Sequence, residues 1–390
     1  MRTVVGHACA VLAALLVHGF LWSFSFEVFQ GSIDFNSAVF EDFIGPYYET
    51  ARALSQGQAP APGFLYGPFF GVLLLPLAGL DAVAASWLWL GLQALSIVGI
   101  IHCALGLAGR RIHEAATGPV FTFLVLLSFP LVHNLHWGQV GLPLLALVLG
   151  AARLQARGRT ASAAWILGLA SAVKFHPAIF LVTLGADRRA WVHAILALVT
   201  LLFVVPALVL GPQVAMEIYA SSLSGLEAAA SPDGGWSGAA NSQYFGSVAS
   251  RWLGLESRTA QLTLSGVGLA WAGVNVVLAG RRLRVGDRLG AWALLVVSVP
   301  LLVYPSWPHY LVGLPFAQLA AWVRRPGDRV GRTAVLASVV ISSAPFFRWS
   351  GGPEAYGAAG WLLAAHLALL PGLCRRETSP GGPQSSSSPR

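Results

Sequence analysis

The sequence predicts an all-α protein, a polytopic integral membrane helix bundle, and three observations predict it. Hydrophobic residues make up 56% of the chain and charged residues only 10%, with a mean hydropathy of +0.67, too apolar for a soluble globular domain. Apolar stretches recur from Val4 to Leu373 with no separate water-soluble block between them. The arginines fall in short clusters between those stretches, the mark of cytoplasmic loops.

These clusters, Arg110-Arg111, Arg153-Arg157-Arg159, Arg188-Arg189, Arg281-Arg282-Arg284-Arg288, Arg324-Arg325-Arg329-Arg332 and Arg375-Arg376, orient the spans. A crossing needs about 20 apolar residues. Val4 to Phe24 exceeds the apolar core of a secretory signal and lacks a small-x-small cleavage site, so it reads as a retained first helix leaving the cytoplasm. Residues 25–82 then form a first outer loop. Within it Tyr66 to Leu80 is apolar but short and carries Pro68 and Pro76, which predicts a juxtamembrane helix in the outer interface.

Val83 to Ala108 is the second span; Thr117 to Leu131 leads out to a short loop, His133 to Gln139, and Gly141 to Ala152 returns. Ser162 to Ala186 is flanked by arginines on both sides and must cross twice or not at all. The Lys174-Phe175-His176-Pro177 interruption at its middle predicts a hairpin or broken-helix pair with Lys174 near the outer tip. Ala190 to Leu210 leads to a second outer loop, residues 211–258. Further spans are expected at Ala260 to Ala279, Leu289 to Tyr304, His309 to Val323, Thr333 to Pro345 and Ala358 to Leu373. The total is roughly 10–13 crossings, in one transmembrane unit of residues 1–376, followed by a Ser/Pro/Gly-rich tail, 377–390, of disordered composition on the cytoplasmic side.

The net charge of +8 reports this topology, not a nucleic-acid partner. Cys9, Cys103 and Cys374 have no metal-like or CxxC spacing and read as small apolar residues. No Walker or Rossmann glycine pattern, HExxH or GxSxG motif is present. Nucleotide-driven transport and soluble-type hydrolysis are therefore unsupported, and no cofactor is expected.

A polar and acidic segment follows the first span, SAVFEDFIGPYYETARALSQG, Ser37 to Gly57, which reads as a loop turning into an amphipathic helix after Pro46. Asp42 at the mouth of the bundle can act as a general base, or it is a solvated or helix-capping acid. Asp34 is a fallback base and Glu41 a third candidate. Tyr47 and Tyr48 stand beside it as candidate substrate-binding residues.

On the outer side cations are few, which makes Arg52, Lys174 and Arg251 candidates for holding an anion. Lys174 is the single lysine of the chain and sits inside an apolar segment, where an ionisable group is costly; the alternative is a lysine snorkelling to the interface. His309, in Ser306-Trp307-Pro308-His309-Tyr310, can donate to a phosphate oxygen or belongs to an aromatic belt. His133, His136 and His176 share its side without a helical ligand spacing and acid partner, so no metal is expected. Gln139 and Asn241 are polar groups at span edges suited to hydroxyl recognition, with Trp307 a further contact.

Six segments in order, DFIGPYYETARALSQG, Tyr66-Gly67-Pro68, HWGQVGLPLL, GLASAVKFHPAIFLV, NSQYFGSVASRWLG and YPSWPHYLVGLP, resemble the motif series of glycosyltransferase family 87, over nearly the whole chain up to the tail. The resemblance implies a GT-C-like fold with outer juxtamembrane helices, and a polyprenyl-phosphate-mannose-dependent alpha-mannosyltransferase of the cell (plasma or inner) membrane. Carried over by position, Asp42 becomes the base, Lys174 and His309 match its lysine and histidine motifs, and Gln139 its glutamine. Two positions depart from the pattern: Gly141 stands where an asparagine is usual, and the Asn241-Ser242-Gln243 order is altered.

The implied reaction is an inverting transfer of a hexose, most simply mannose, from a polyprenyl-phosphate sugar to a glycolipid or glycan acceptor on the outer face. Lys174, His309 and either Arg251 or Arg52 would stabilise the departing phosphate. The competing readings are a transporter or flippase of lipid-linked sugars, which would show polar pairs along several spans and internal pseudo-symmetry, and a ligase or a transferase of another group.

Overall fold

The computed structural model describes residues 2–23, 40–109, 117–230, 242–255, 257–303, 306–324, 328–351, 353–370 and 373. Asp34, Asn241 and the 377–390 tail lie outside the described residues. The chain begins with α1 (Arg2–Ser23). A π-helical turn (Phe43–Tyr48) runs directly into α2 (Glu49–Ser55), then come α3 (Pro68–Leu74), a 3-10 turn (Leu75–Gly79) and the long α4 (Ala82–Ala108). Shorter helices follow, α5 (Thr117–Leu127), α6 (Phe129–Trp137), α7 (Gly141–Ala156) and α8 (Thr160–Val173), with a 3-10 segment (His176–Leu184).

α9 (Arg188–Val199) continues through a π turn (Thr200–Val204) into α10 (Val205–Leu210), and α11 (Pro212–Ala230) and α12 (Phe245–Leu253) lead to the long α13 (Arg258–Arg284). The chain closes with α14 (Arg288–Val296), α15 (Val299–Leu302), a 3-10 turn (Pro308–Leu311), α16 (Leu314–Val323), α17 (Arg329–Ile341), α18 (Ala344–Trp349), α19 (Pro353–Ala358) and α20 (Trp361–Leu367). Among the described residues the only strand-like pairing is an isolated bridge between Ser128 and Ser343.

Among the described residues four stretches are long and apolar enough to cross a bilayer: Val4–Leu21, Ala82–Ala108, Arg188–Leu210 and Arg258–Arg284. Their outward side chains, such as Leu95 at 72% and Leu208 at 81% exposure, form apolar faces that only lipid would solvate favourably. The protein is an all-α polytopic membrane protein. The inner faces close on one large core built from α4, α5, α7, α8, α14 and α16, with Trp292 and Phe316 among its fully buried side chains. A second, aromatic-rich core lies under α2 and α3.

Several expected spans are broken. Thr117 to Leu131 divides at Ser128, Leu289 to Tyr304 at Ser298, and Thr333 to Pro345 at Ser342. Proline explains each break: Pro130, Pro300 and Pro345 sit in the first turns of α6, α15 and α18, where a missing N–H costs nothing, whereas inside a helix each would clash with the preceding turn. The Tyr66 to Leu80 segment forms α3 and its 3-10 extension, about 20 Å by helical rise and short of a ~30 Å hydrocarbon core. Phe69, Phe70, Leu74 and Leu77 bury it against protein.

The expected hairpin is present. α8 ends at Lys174, whose φ of −147° and ψ of 138° are extended, and the chain returns as the 3-10 segment. The Thr160 hydroxyl donates to Asp187 Oδ2 at 2.9 Å, joining the two ends, and Gln155 Nε2 donates to the Thr183 carbonyl at 3.0 Å. The fourteen residues of α8 rise about 21 Å, so Lys174 stands that far from the Arg159 and Arg188-Arg189 end.

Away from that tip, Asp287 binds two guanidinium groups, Arg282 Nη1 at 2.5 Å and Arg324 Nη2 at 2.7 Å, all three side chains being almost fully buried. Both arginines also donate to the Leu373 carbonyl. The cluster ties α13, α14, α16 and the end of the bundle together.

Candidate functional site

Asp42 is placed by the helix that follows it. The sequence predicts that helix to begin after Pro46, but it begins before, and Pro46 lies inside the Phe43–Tyr48 π turn. The wider turn gives the proline ring room against the carbonyl four residues earlier. Phe43 and Tyr47 then face inward, fully buried: Phe43 stacks on Trp89 of α4 at 5.1 Å, and Tyr47 meets Tyr66 and Phe70 edge-on. Just upstream, Phe40 has φ +64°, a strained value for a non-glycine residue, and its N–H donates to the His136 carbonyl at 2.7 Å.

Gln139 is placed by the end of α6. Gly138 turns the chain with φ +65°, and a Cβ there would collide with Phe43 at 2.6 Å. Trp89 Nε1 donates to the Gly138 carbonyl at 2.7 Å. Gln139 then reaches across through Nε2 to Oδ2 of Asp42. Its Oε1 lies 3.1 Å from Tyr47 Oη and 3.3 Å from Tyr66 Oη, and those two hydroxyls are 2.5 Å apart, so one phenol donates to the other and the remaining phenol proton goes to Oε1.

Lys174 completes the line. Its Nζ donates to Tyr66 Oη at 3.3 Å and lies over the rings of Tyr66 at 5.0 Å and Tyr310 at 4.3 Å. His309 stacks obliquely on Tyr310 at 4.8 Å and on His133 at 5.5 Å, and His176 meets Tyr310 at 5.5 Å. The Nδ1 atoms of His133, His176 and His309 are buried and have no hydrogen-bond partner among the described residues. A cavity of about 40 Å³, room for a water or two, lies here, lined by Gly141, Lys174, His176, His309 and Tyr310 over an apolar floor of Leu144, Leu145 and Val296.

Burial raises the Asp42 pKa above the ordinary carboxylate value, and Glu41 beside it adds to the rise; the Gln139 hydrogen bond and the Lys174 charge oppose it. Gln139 engages one carboxylate oxygen, and among the described residues Oδ1 accepts no hydrogen bond. Such a carboxylate, half-buried and with a raised proton affinity, has the character of a general base.

The other sequence candidates lie elsewhere. Arg52 pairs with Glu49 at 3.5 Å, its side chain half exposed, and takes no part in the hydrogen-bonded cluster. Tyr48 donates to the Leu80 carbonyl at 2.8 Å and so anchors α2 on the 3-10 turn. Arg251 donates to the carbonyls of Ser242 at 2.9 Å and Gly357 at 3.2 Å. Trp307 precedes the His309 turn, and its carbonyl accepts from the Tyr310 N–H at 2.9 Å. Among the described residues no group of three or more His, Cys, Asp or Glu comes together as a metal site. Sequence reasoning missed Tyr66, Gln93 and Asn134; an amide in the middle of an apolar span was a usable signal for Gln93.

A carboxylate, an amide, paired phenols and a lysine are thus gathered at one end of a polytopic membrane helix bundle. The sequence profile of glycosyltransferase family 87 matches residues 64–305, more than half of the chain, and the protein belongs to that family. Gln139 and Lys174 fall inside the matched residues, whereas Asp42 and His309 fall outside them.

A curated relative, the polyprenol-phosphate-mannose-dependent alpha-(1-2)-phosphatidylinositol pentamannoside mannosyltransferase of Mycobacterium tuberculosis (strain CDC 1551 / Oshkosh), is 30% identical over 301 residues. The match covers 74% of this chain and 66% of the relative, so the chain spans about two thirds of that protein's length. No solved structure matches.

Proposed function

We propose that the protein transfers a hexose, most simply mannose, from a polyprenyl-phosphate sugar to a glycolipid or glycan hydroxyl. Family membership and the donor in the relative's name support the class of reaction. The observation that carries the mechanism is the Asp42–Gln139 contact inside the cluster that also holds Lys174. Asp42 Oδ1 takes the proton of the acceptor hydroxyl as its oxygen attacks the anomeric carbon. The bond from that carbon to the phosphate oxygen breaks on the opposite face, and polyprenyl phosphate leaves with its charge against Lys174, assisted by a hydrogen bond from His309. Inversion converts a beta-linked donor into an alpha-glycoside.

The site faces the outer side of the plasma membrane in this reading, because Lys174 lies at the hairpin end remote from the arginine clusters. Residues 25–82 and 211–258 are then the outer loops of a single unit of residues 1–376. The test is transfer of labelled mannose from polyprenyl-phosphate-mannose to membrane glycolipids by wild type and Asp42→Asn. A loss of kcat of roughly 100- to 10,000-fold is expected for a missing general base. Unchanged transfer by a folded variant would overturn the assignment.

A further inference from the structure

Gln139 has two jobs at once: its side chain contacts Asp42, and its backbone is a junction for two other buried amides. Its carbonyl accepts from Gln93 Nε2 at 2.5 Å and from Asn134 Nδ2 at 2.9 Å. Asn134 Nδ2 also donates to Gln93 Oε1 at 3.2 Å, and the Gln139 N–H donates to the Asn134 carbonyl at 3.0 Å. Gln93 and Asn134 are both wholly buried, Gln93 in the membrane-spanning α4 and Asn134 in α6. A buried amide carries a desolvation penalty unless its donors and acceptor are matched. Each of these spends a donor on the same carbonyl, although a helix face between apolar neighbours would pack as well with leucine.

The arrangement also determines which end of the Gln139 amide meets Asp42. The ionised carboxylate can only accept and so meets Nε2, which turns Oε1 to the Tyr47–Tyr66 pair and its one free hydroxyl proton. Rotation of the backbone at residue 139 would withdraw the donor from Asp42 and set the phenols against each other.

We infer that Gln93 and Asn134 are positioning residues, holding the Gln139 main chain so that its amide clamps Asp42 Oδ2 and leaves Oδ1 directed at the acceptor. They touch neither substrate nor the reacting atoms. The inference rests on the proposed role of Asp42, and its test separates the two.

The carboxyl stretch of Asp42 is isolated by infrared difference between wild type and Asp42→Asn, and titrated in the full-length protein in detergent. The charged and titratable groups facing Asp42 are Glu41 beside it, Lys174 at the end of α8 and Tyr47 on its own helix, with Tyr66 before α3 linked to it through Gln139; none is altered in the test. In Gln93→Leu the slackened clamp raises the Asp42 titration midpoint, and kcat falls roughly 10- to 100-fold with little change in KM. Asn134→Leu shifts the midpoint in the same direction.

In a Gln139→Ala background Gln93→Leu produces no further shift, because the clamp is already absent. An unmoved midpoint in folded Gln93→Leu and Asn134→Leu, or a shift that persists undiminished without the Gln139 side chain, overturns the inference. Because the titration does not depend on turnover, it holds even if Asp42→Asn proves active; that result would remove the base and leave the positioning intact.

Discussion

Lys174 and Tyr66 are joined twice: the ammonium donates to the phenol oxygen at 3.3 Å and also lies 5.0 Å above the ring. The lone lysine of the chain is therefore held at the hairpin tip by one residue of the aromatic core, with Tyr310 on its other side at 4.3 Å.

Loss of the cation and loss of its tether should differ in size. Lys174→Met removes the charge opposite the leaving phosphate, and kcat/KM for the polyprenyl-phosphate donor should fall roughly 100-fold or more. Tyr66→Phe keeps the ring and removes a neutral hydroxyl that bonds Lys174, Tyr47 and Gln139, so the fall should be smaller, roughly tenfold or less. Steady-state kinetics with varied donor and fixed acceptor distinguishes them, and equal losses would place the phenol, not the ammonium, at the centre of donor binding.

The pH profile should carry the sign of the Asp42 environment. A base works ionised, so activity is present above its pKa and lost as pH falls through it; burial places that acid limb above the ordinary aspartate range. Glu41→Gln removes a neighbouring charge that raises the pKa and should move the limb down. Gln139→Ala removes a hydrogen bond that lowers it and should move the limb up. Plots of kcat/KM against pH for the three proteins check both directions.

Gly141 should not tolerate a side chain. A Cβ there would stand 2.5 Å from Asn134 Oδ1 and 3.1 Å from the His309 carbonyl. Gly141→Ala should destabilise the protein by about 1–3 kcal/mol, the usual range for overpacking, and lower Tm in detergent. Unchanged Tm would mean that the Asn134 amide moves freely, which its hydrogen bonds to Gln93 and Gln139 argue against.

A stability defect without a catalytic one is expected at the other end. Asp287→Ala leaves Arg282 and Arg324 buried without their shared carboxylate and should destabilise by about 3–5 kcal/mol. Thermal unfolding measures the loss, while kcat per folded molecule should stay near wild type. A fall in kcat out of proportion to folded protein would show that the two ends of the bundle are coupled.

Asp42, Gln139 and Lys174 were legible because each is a polar group where the surrounding sequence is apolar, and desolvation makes such placements rare. The hairpin was legible from two signals together, since arginines on both flanks demand an even number of crossings and the Lys174-Phe175-His176-Pro177 break at the middle marks the turn. Tyr66 was not, because an aromatic residue among Phe64, Phe69 and Phe70 has the pattern of a core and its hydroxyl partners come from distant segments. Neighbouring positions misled for a related reason: Tyr48 follows Tyr47 but leaves the turn on another side, which takes it to the Leu80 carbonyl. Helix ends within the spans were obscured because proline both starts and breaks helices, and only packing decides which.

The turn from Phe43 to Tyr48 accommodates one residue more than an α-helix would. Excising a residue there would restore ordinary α geometry while α2 stayed seated through Tyr48, Ala51 and Leu54. The residues upstream would keep their azimuth, but the Pro46 ring would again meet the carbonyl four residues before it, bending the segment that carries Asp42 away from Gln139. The extra residue is thus the room a proline needs, and deleting Ile44 or Gly45 separates having the cluster's side chains from having the backbone that aims them.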